Sequence, residues 1–131
     1  MLSTILWLSL TIYHEARSQE QLDQIAIGHV IMNRAKVNGK LIKEVVLQDK
    51  QFSCYNNGIK FPNNPKAFIF SIETAIIVLH GKDFTGGAKY YHTKKVKPIW
   101  RKGLNKIGSF GDHVFYKEIE KIKAIKMKRI L

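Results

Sequence analysis

The stretch Tyr13-His14-Glu15-Ala16-Arg17-Ser18-Gln19 places one acidic side chain at the end of an apolar segment. The ten residues before it, 3–12, carry no charge, and Trp7 lies about two helical turns from Glu15. A carboxyl group in apolar surroundings is expected to keep its proton to a higher pH than a solvated one. Because a general acid must be protonated before it acts, Glu15 is a candidate catalytic acid at the end of a first core helix. The structural alternative is a cap or an ion pair with Arg17 or with a downstream lysine.

Length and composition are typical of one soluble domain. The chain has 131 residues, 45% of them hydrophobic and 24% charged, which predicts a single domain over 1–131 with a core that needs no disulfide or metal. Cys54 is the only cysteine, so no intrachain disulfide or thiolate metal cluster can form. We expect Cys54 to be a small buried or half-buried side chain rather than a reactive thiol. We predict no cofactor and a monomer.

The formal charge of +12 predicts attraction to a polyanion such as nucleic acid, an anionic membrane or the acidic polymers of a bacterial envelope. Basic residues concentrate in 89–106 and again in the C-terminal extension, 117–131. Tyr, Trp and Phe side chains interleave with these Lys and Arg residues and could stack on single-stranded nucleic acid. They could equally line a saccharide groove. A basic nucleic-acid-binding protein is therefore the alternative of a different functional class.

Local signals predict mainly helices. We predict a first helix capped at Ser3 or Thr4, and a second over 22–36 that follows a capping box at Ser18-Gln19-Glu20-Gln21 and ends at Asn38-Gly39. A short helix is predicted over 41–47. A fourth helix should run from Pro65, capped by Asn64, to His80. Its predicted core face comprises Ala67, Phe68, Ile72, Ala75, Ile76 and Leu79.

Two aromatic segments, 89–93 and 113–116, predict strands that pair as an antiparallel ribbon beside the helices. The five histidines do not match a standard zinc spacing, so we predict no metal site. His29 lies on an apolar helical stripe and is predicted to be a core histidine. The N-terminal apolar segment lacks a basic start and a cleavage site, and it is too short to span a bilayer. We therefore expect no export signal and no transmembrane segment.

Five blocks of this sequence, taken in order, resemble the SleB/CwlJ-type cell wall hydrolase family, which includes spore-cortex-lytic and phage endolysin types. The resemblance covers about 7–116. The blocks are Ile12-Tyr13-His14-Glu15-Ala16-Arg17, Gln24-Ile25-Ala26-Ile27-Gly28-His29-Val30-Ile31-Met32-Asn33-Arg34, Gln51-Phe52-Ser53, Gly86-Gly87-Ala88 continuing through Tyr90-Tyr91-His92 to Trp100, and Ile107-Gly108 followed by His113-Val114-Phe115-Tyr116.

The resemblance implies an α+β, mainly helical, lysozyme-like (lytic transglycosylase-like) fold with a small antiparallel β element. It also implies that the enzyme cleaves peptidoglycan glycan strands with Glu15 as the catalytic acid. The chain departs from the family at Ser18-Gln19, where Gly-Glu is common, so a second acid is displaced to Glu20 or absent. We predict substrate contacts at Gln51 and Ser53, which could bind an acetamido group, and at Tyr90, Tyr91, His92, Trp100 and His113.

A single acid in the motif favours lytic transglycosylation over hydrolysis. Hydrolytic glycosidases normally use two carboxyl groups. A lytic transglycosylase needs only one, so we predict cleavage of the β-1,4 bond between MurNAc and GlcNAc with formation of 1,6-anhydroMurNAc. A hydrolytic muramidase or N-acetylglucosaminidase of the same fold is the alternative. The predicted site of action is the bacterial cell wall, and the predicted origin is a phage endolysin that is made in the host cytoplasm and released by a holin.

Overall fold

A computed structural model describes residues 2–48 and 51–119, in which helices precede a small sheet. The α-helices are α1 (Leu2–Ala16), α2 (Gln21–Asn38), α3 (Ile42–Leu47) and α4 (Pro65–His80). Short 3₁₀ helices span Ser53–Tyr55 and Ile99–Gly103. The strands are β1 (Tyr90–Thr93), β2 (Leu104–Phe110) and β3 (His113–Glu118). The predicted C-terminal extension lies outside the described residues from position 120 onward.

The core forms where α1, α2 and α4 pack against one another. Leu8, Ile12 and Ile27 are fully buried there, and His29 is 4% exposed, as predicted for a core histidine. Gly28 allows α2 to approach α4 closely, because a Cβ at this position would lie 2.6 Å from Val78 Cγ2. Among the described residues, no helix is long and apolar enough to cross a bilayer.

Several predicted helix ends are confirmed. The Asn64 side chain accepts a hydrogen bond from the Ala67 backbone N–H at 3.1 Å, and Pro65 is the first residue of α4. Gly39 closes α2 in the left-handed conformation, with φ of 61°. These ends were predictable because each depends on a local residue type.

Two predicted caps are wrong. The first helix begins at Leu2, so Ser3 and Thr4 lie inside it. The N-cap of α2 is Glu20, without a side-chain capping bond, and not Ser18. The turn after α1 is instead closed by backbone and side-chain bonds to the last carbonyls of that helix, including Gln19 N–H to Ala16 O at 2.9 Å. This tertiary arrangement is not visible in the capping pattern.

The buried face of α4 also differs from the prediction. Ala75 is buried as predicted, but Ile76 is 42% exposed. The other buried positions are Ser71, Thr74 and Val78. Small side chains on this face let α4 pack closely on α1 and α2, and the hydroxyl of Thr74 bonds within the helix and across to α2. A prediction of the core face of α4 from hydrophobicity alone was therefore partly wrong.

The predicted ribbon is confirmed: β1 and β3 are antiparallel, with Tyr90 opposite Tyr116 and Tyr91 opposite Phe115. The sheet has a third strand, β2, which the sequence analysis did not predict, and the strand order is β1-β3-β2. Its register shifts between Lys106 and Gly108, which interrupts the alternation that would have indicated a strand.

Candidate active site

Glu15 lies at the C-terminal end of α1 and contacts the sheet directly. The Tyr91 hydroxyl, from β1, donates a hydrogen bond to Glu15 Oε1 at 2.5 Å. Burial raises the pKa of Tyr91 well above its ordinary value, and the negative charge of Glu15 raises it further. The phenol therefore keeps its proton at neutral pH and acts as a fixed donor to the carboxylate.

Buried polar contacts hold the end of α1 in place. The Gln24 side-chain amide donates to Ala16 O at 3.0 Å and to Gln19 O at 3.2 Å. The Gln24 side-chain oxygen accepts from the Thr74 hydroxyl at 3.3 Å. Gln24 is fully buried, so these bonds replace all of its water contacts. The position of Glu15 is thus set by α2 and α4 as well as by its own helix.

On its other side, α1 is tied to the loop before α4. The Tyr13 hydroxyl accepts from the Asn64 backbone N–H at 3.1 Å and donates to Asn63 Oδ1 at 2.8 Å. Arg17 donates to the same hydroxyl and to Asn63 Oδ1. Among the described residues, Glu15 forms no ion pair with Arg17 or with a lysine, so the structural alternative of such a pair does not hold.

A groove of about 480 Å³ begins beside Tyr91. It contains four of the predicted substrate-binding residues, and Tyr91 connects it to Glu15. Its lining consists of Arg34, Gln51, Tyr90, Tyr91, Trp100, Gly103 and Leu104.

Arg34 is a groove residue to which the sequence analysis assigned no role. Its Nε donates to Lys89 O at 2.6 Å, and its Nη1 donates to Gln51 Oε1 at 3.3 Å. Burial lowers the pKa of Arg34, while the neighbouring acidic groups of Tyr91, Tyr90 and Glu15 raise it, and the guanidinium stays charged under either influence. An arginine on a largely apolar helix was the signal that could have identified it.

Three other predicted residues do not line the groove. Ser53 is exposed at the start of a 3₁₀ helix. His92 stacks on Tyr116 at 5.3 Å between ring centroids and bonds to its hydroxyl at 2.8 Å. His113 is 5% exposed, and its Nδ1 lies 2.8 Å from Asp23 Oδ2. The substrate roles of Ser53 and His92 stay predictions, and the burial of His113 gives no support to a direct contact.

Asp23 and His113 join α2 to β3. Asp23 has no exposed surface and accepts a second bond from the Asp112 backbone N–H at 3.3 Å. The His113 ring meets the Tyr91 ring edge-on at 5.3 Å. This pair therefore supports the tyrosine that contacts Glu15.

The described residues near the groove include neither a reactive thiol nor a metal centre. Burial raises the pKa of Cys54 to about 12, with a further contribution from the Glu15 charge, so the thiol stays protonated. Cys54 is half-buried, as predicted. Within the described part of the chain, no three His, Cys, Asp or Glu side chains cluster closely enough to hold a metal ion.

Comparison with known families decides the identity. The sequence model of the Cell Wall Hydrolase family matches residues 18–116. The chain belongs to this family. The matched range includes every residue that lines the groove of this cell wall hydrolase, while Glu15 lies just before the range. A search of curated protein sequences gives no match.

Two solved structures share the fold. The catalytic domain of the germination-specific lytic transglycosylase SleB from Bacillus anthracis aligns with a TM-score of 0.75 and 24% identity, over 89% of this chain and 96% of that one. The catalytic domain of the Bacillus cereus SleB protein aligns with a TM-score of 0.73 and 24% identity, over 89% and 91%. The predicted mainly helical, lysozyme-like α+β class with a small antiparallel sheet is confirmed.

Proposed function

We propose that this cell wall hydrolase cleaves the β-1,4 bond between MurNAc and GlcNAc in peptidoglycan as a lytic transglycosylase, with Glu15 as acid and base. Family membership supports a wall polymer as substrate. The likeness to a domain described as a lytic transglycosylase supports the reaction type. The observation that carries the proposal is Glu15 held by the Tyr91 hydroxyl beside an aromatic-walled groove.

The surroundings of the groove favour a one-carboxylate mechanism. No Asp or Glu is found among the described residues that line it. Three other described carboxylates bond away from the groove: Asp23 to His113, Glu44 to Leu41 and Asp83 to Thr85. Glu118 accepts from the hydroxyl of the groove residue Tyr90 and pairs with Lys89, so both contacts hold it at the sheet. A hydrolase with two carboxyl groups at a defined separation would need a second acid facing the same bond.

The reaction begins when protonated Glu15 donates its proton to the glycosidic oxygen as the bond from that oxygen to C1 of MurNAc breaks. The N-acetyl oxygen of the same sugar stabilises the positive charge at C1. The Glu15 carboxylate then takes the proton from the C6 hydroxyl while O6 bonds to C1, which closes the 1,6-anhydro ring and restores the acid. The Tyr91 hydroxyl stabilises the carboxylate between the two steps.

The groove residues have separate roles in this proposal. Tyr90 and Trp100 present aromatic surface to the apolar faces of sugar rings, and their ring centroids lie 6.1 Å apart. The side-chain oxygen of Gln51 already accepts from Arg34, so its amide N–H₂ is the group available to an acetamido oxygen.

Product analysis tests the proposal. Mass spectrometry of digested peptidoglycan should show anhydromuropeptides, which borohydride does not reduce. Reducible MurNAc or GlcNAc ends would instead indicate a hydrolytic muramidase or N-acetylglucosaminidase. A Glu15→Gln variant that folds, as judged by circular dichroism, and still digests purified walls would overturn the site assignment.

We also propose that the enzyme acts on the bacterial wall as a phage endolysin. Its +12 charge suits an anionic envelope. Expression of the chain in a bacterial cytoplasm should leave cells intact until a holin or chloroform opens the membrane, after which lysis should be rapid. Lysis that depends on a native bacterial germination signal would overturn this origin.

A further inference from the structure

Among the described residues that line the groove, none is acidic, and the nearest acid of the sheet, Glu118, is bonded to Tyr90. Between Asp83 and Asp112 the chain contains seven Lys and Arg residues and no Asp or Glu. One of the seven, Lys89, pairs with Glu118 at 3.7 Å. We call the other six the basic rim, and they are Lys94, Lys95, Lys97, Arg101, Lys102 and Lys106.

The basic rim is not neutralised within the described part of the chain. The ion pairs found there join His29 to Asp83, Lys89 to Glu118 and His113 to Asp23, and none includes a rim residue. The five lysines of the rim are exposed, and Arg101 is half-buried. Closely spaced like charges without counterions create a positive potential that extends over about 10 Å at moderate salt.

The basic rim is continuous with the groove wall. The 3₁₀ helix Ile99–Gly103 supplies Trp100 and Gly103 to the groove and Arg101 and Lys102 to the rim. Arg101 Nη1 donates to Lys97 O at 3.1 Å, which fixes the preceding segment against this helix.

The far end of the rim also reaches the groove wall. Lys106 pairs in register with Tyr116, whose ring lies 5.7 Å from Trp100. A glycan strand bound in the groove would therefore pass close to Arg101, Lys102 and Lys106 of the rim.

We infer that the basic rim binds the carboxylates of the peptide stems that project from the glycan strand, so that the enzyme acts on peptide-bearing, carboxylate-rich peptidoglycan. This inference rests on the proposed function. Stems are attached to the muramic acid residues, so their carboxylates recur along the strand at the spacing of its repeat. Phosphodiester polymers are attached at the muramic C6 oxygen, which the proposed reaction requires as a free hydroxyl, and they are therefore the less suitable ligand.

Binding to chemically modified walls tests the inference separately from catalysis. Peptidoglycan is used before and after treatment with hydrofluoric acid, which removes phosphodiester polymers, and half of each sample is amidated with carbodiimide and ammonia to neutralise its carboxylates. All chains carry Glu15→Gln to prevent digestion. The rim variant is Lys97→Gln/Lys102→Gln. The matched control is Lys36→Gln/Lys40→Gln, which removes the same charge beside a separate hollow at the end of α2.

Cosedimentation at low salt should show that amidation weakens binding of the parent chain about tenfold. The rim variant should bind unmodified peptidoglycan about tenfold more weakly than the parent and should lose most of its sensitivity to amidation. The control should stay within about twofold of the parent.

Equal weakening by the control variant would show attraction to net charge alone and would overturn the inference. Binding that is lost after hydrofluoric acid treatment but unaffected by amidation would also overturn the inference, because phosphate would then be the ligand. The proposed function is tested by a different assay, the product analysis of the chain with Glu15 intact. If that analysis shows no anhydro products, the proposed function fails, but the binding result can still be interpreted.

Discussion

Two acids on neighbouring helices meet the same sheet in different ways. Glu15 of α1 accepts from the groove residue Tyr91 and is partly exposed, whereas Asp23 of α2 accepts from His113 and has no exposed surface. Asp23 also receives a backbone N–H, so both of its oxygens are engaged inside the protein. A buried, fully bonded carboxylate stabilises the fold, while a carboxylate with one fixed donor and an open side is available to a substrate.

The largest expected effect comes from removing the open acid. Glu15→Gln should lower kcat by about 10³-fold, equivalent to about 4 kcal/mol, because the amide cannot donate and regain a proton. Turbidity loss of purified walls measures the rate, and urea denaturation should show nearly unchanged stability. A fall of about 4 kcal/mol in the free energy of unfolding would show that Glu15, like Asp23, stabilises the fold, and would contradict the comparison.

Removal of the buried acid, Asp23, should lower the stability of the fold. Asp23→Ala should lower the free energy of unfolding by about 3 kcal/mol, because it leaves the buried His113 Nδ1 without its partner. Urea denaturation measures the loss, and Glu73→Ala, at an exposed position of α4, is the control with an expected change under about 0.5 kcal/mol. At urea concentrations where the variant stays folded, its kcat should stay within a few-fold of the wild-type value.

A smaller effect should follow from loss of the phenol that positions Glu15. Tyr91→Phe removes one hydrogen bond to a carboxylate and should lower kcat about tenfold to thirtyfold, equivalent to about 1.4–2 kcal/mol, with KM nearly unchanged. Tyr90→Phe is the matched control, since the Tyr90 hydroxyl bonds to Glu118 and not to Glu15. A rise in KM with constant kcat would show that Tyr91 acts in substrate binding instead.

The smallest effect concerns a third acid, Asp83, beside the buried His29. Burial lowers the pKa of His29, although the charge of Asp83 opposes this. The unfolded chain therefore binds more protons than the folded one below about pH 6.5, and stability should fall as the pH drops through this range. Between pH 7 and pH 5 the His29 contribution should be about 1 kcal/mol or less.

Urea denaturation of wild type and His29→Gln at both pH values isolates this contribution. The variant should lose less stability on acidification than the wild type, whatever its stability at pH 7. Asp83 does not interfere in this range, since burial raises its pKa but hydrogen bonds from Thr85, Asn33 and Gly87 outweigh that effect and leave it below its usual 3.8. Equal slopes in the two proteins would contradict the role assigned to His29.

Much of the helical half could be predicted from local residue types. The α4 start at Asn64 and Pro65 and the α2 end at Gly39 depend on caps that neighbouring residues specify. The ribbon of β1 and β3 was also predictable from its aromatic segments. The third strand, β2, was missed because its register shift breaks the alternation of side chains, and the core face of α4 was partly missed because small polar residues are buried there.

The sequence by itself determined the helical class, the strongly basic charge and the choice of Glu15 as the acid to test, since these follow from composition, spacing and the ordered motifs. Tertiary structure alone decided which partners the acids have. It brought Tyr91 to Glu15 across 76 positions of the chain, buried His113 against Asp23, and placed Arg34 in the groove. The physical reason is that a hydrogen bond or a groove wall depends on how helices and sheet pack, and no local pattern encodes that contact.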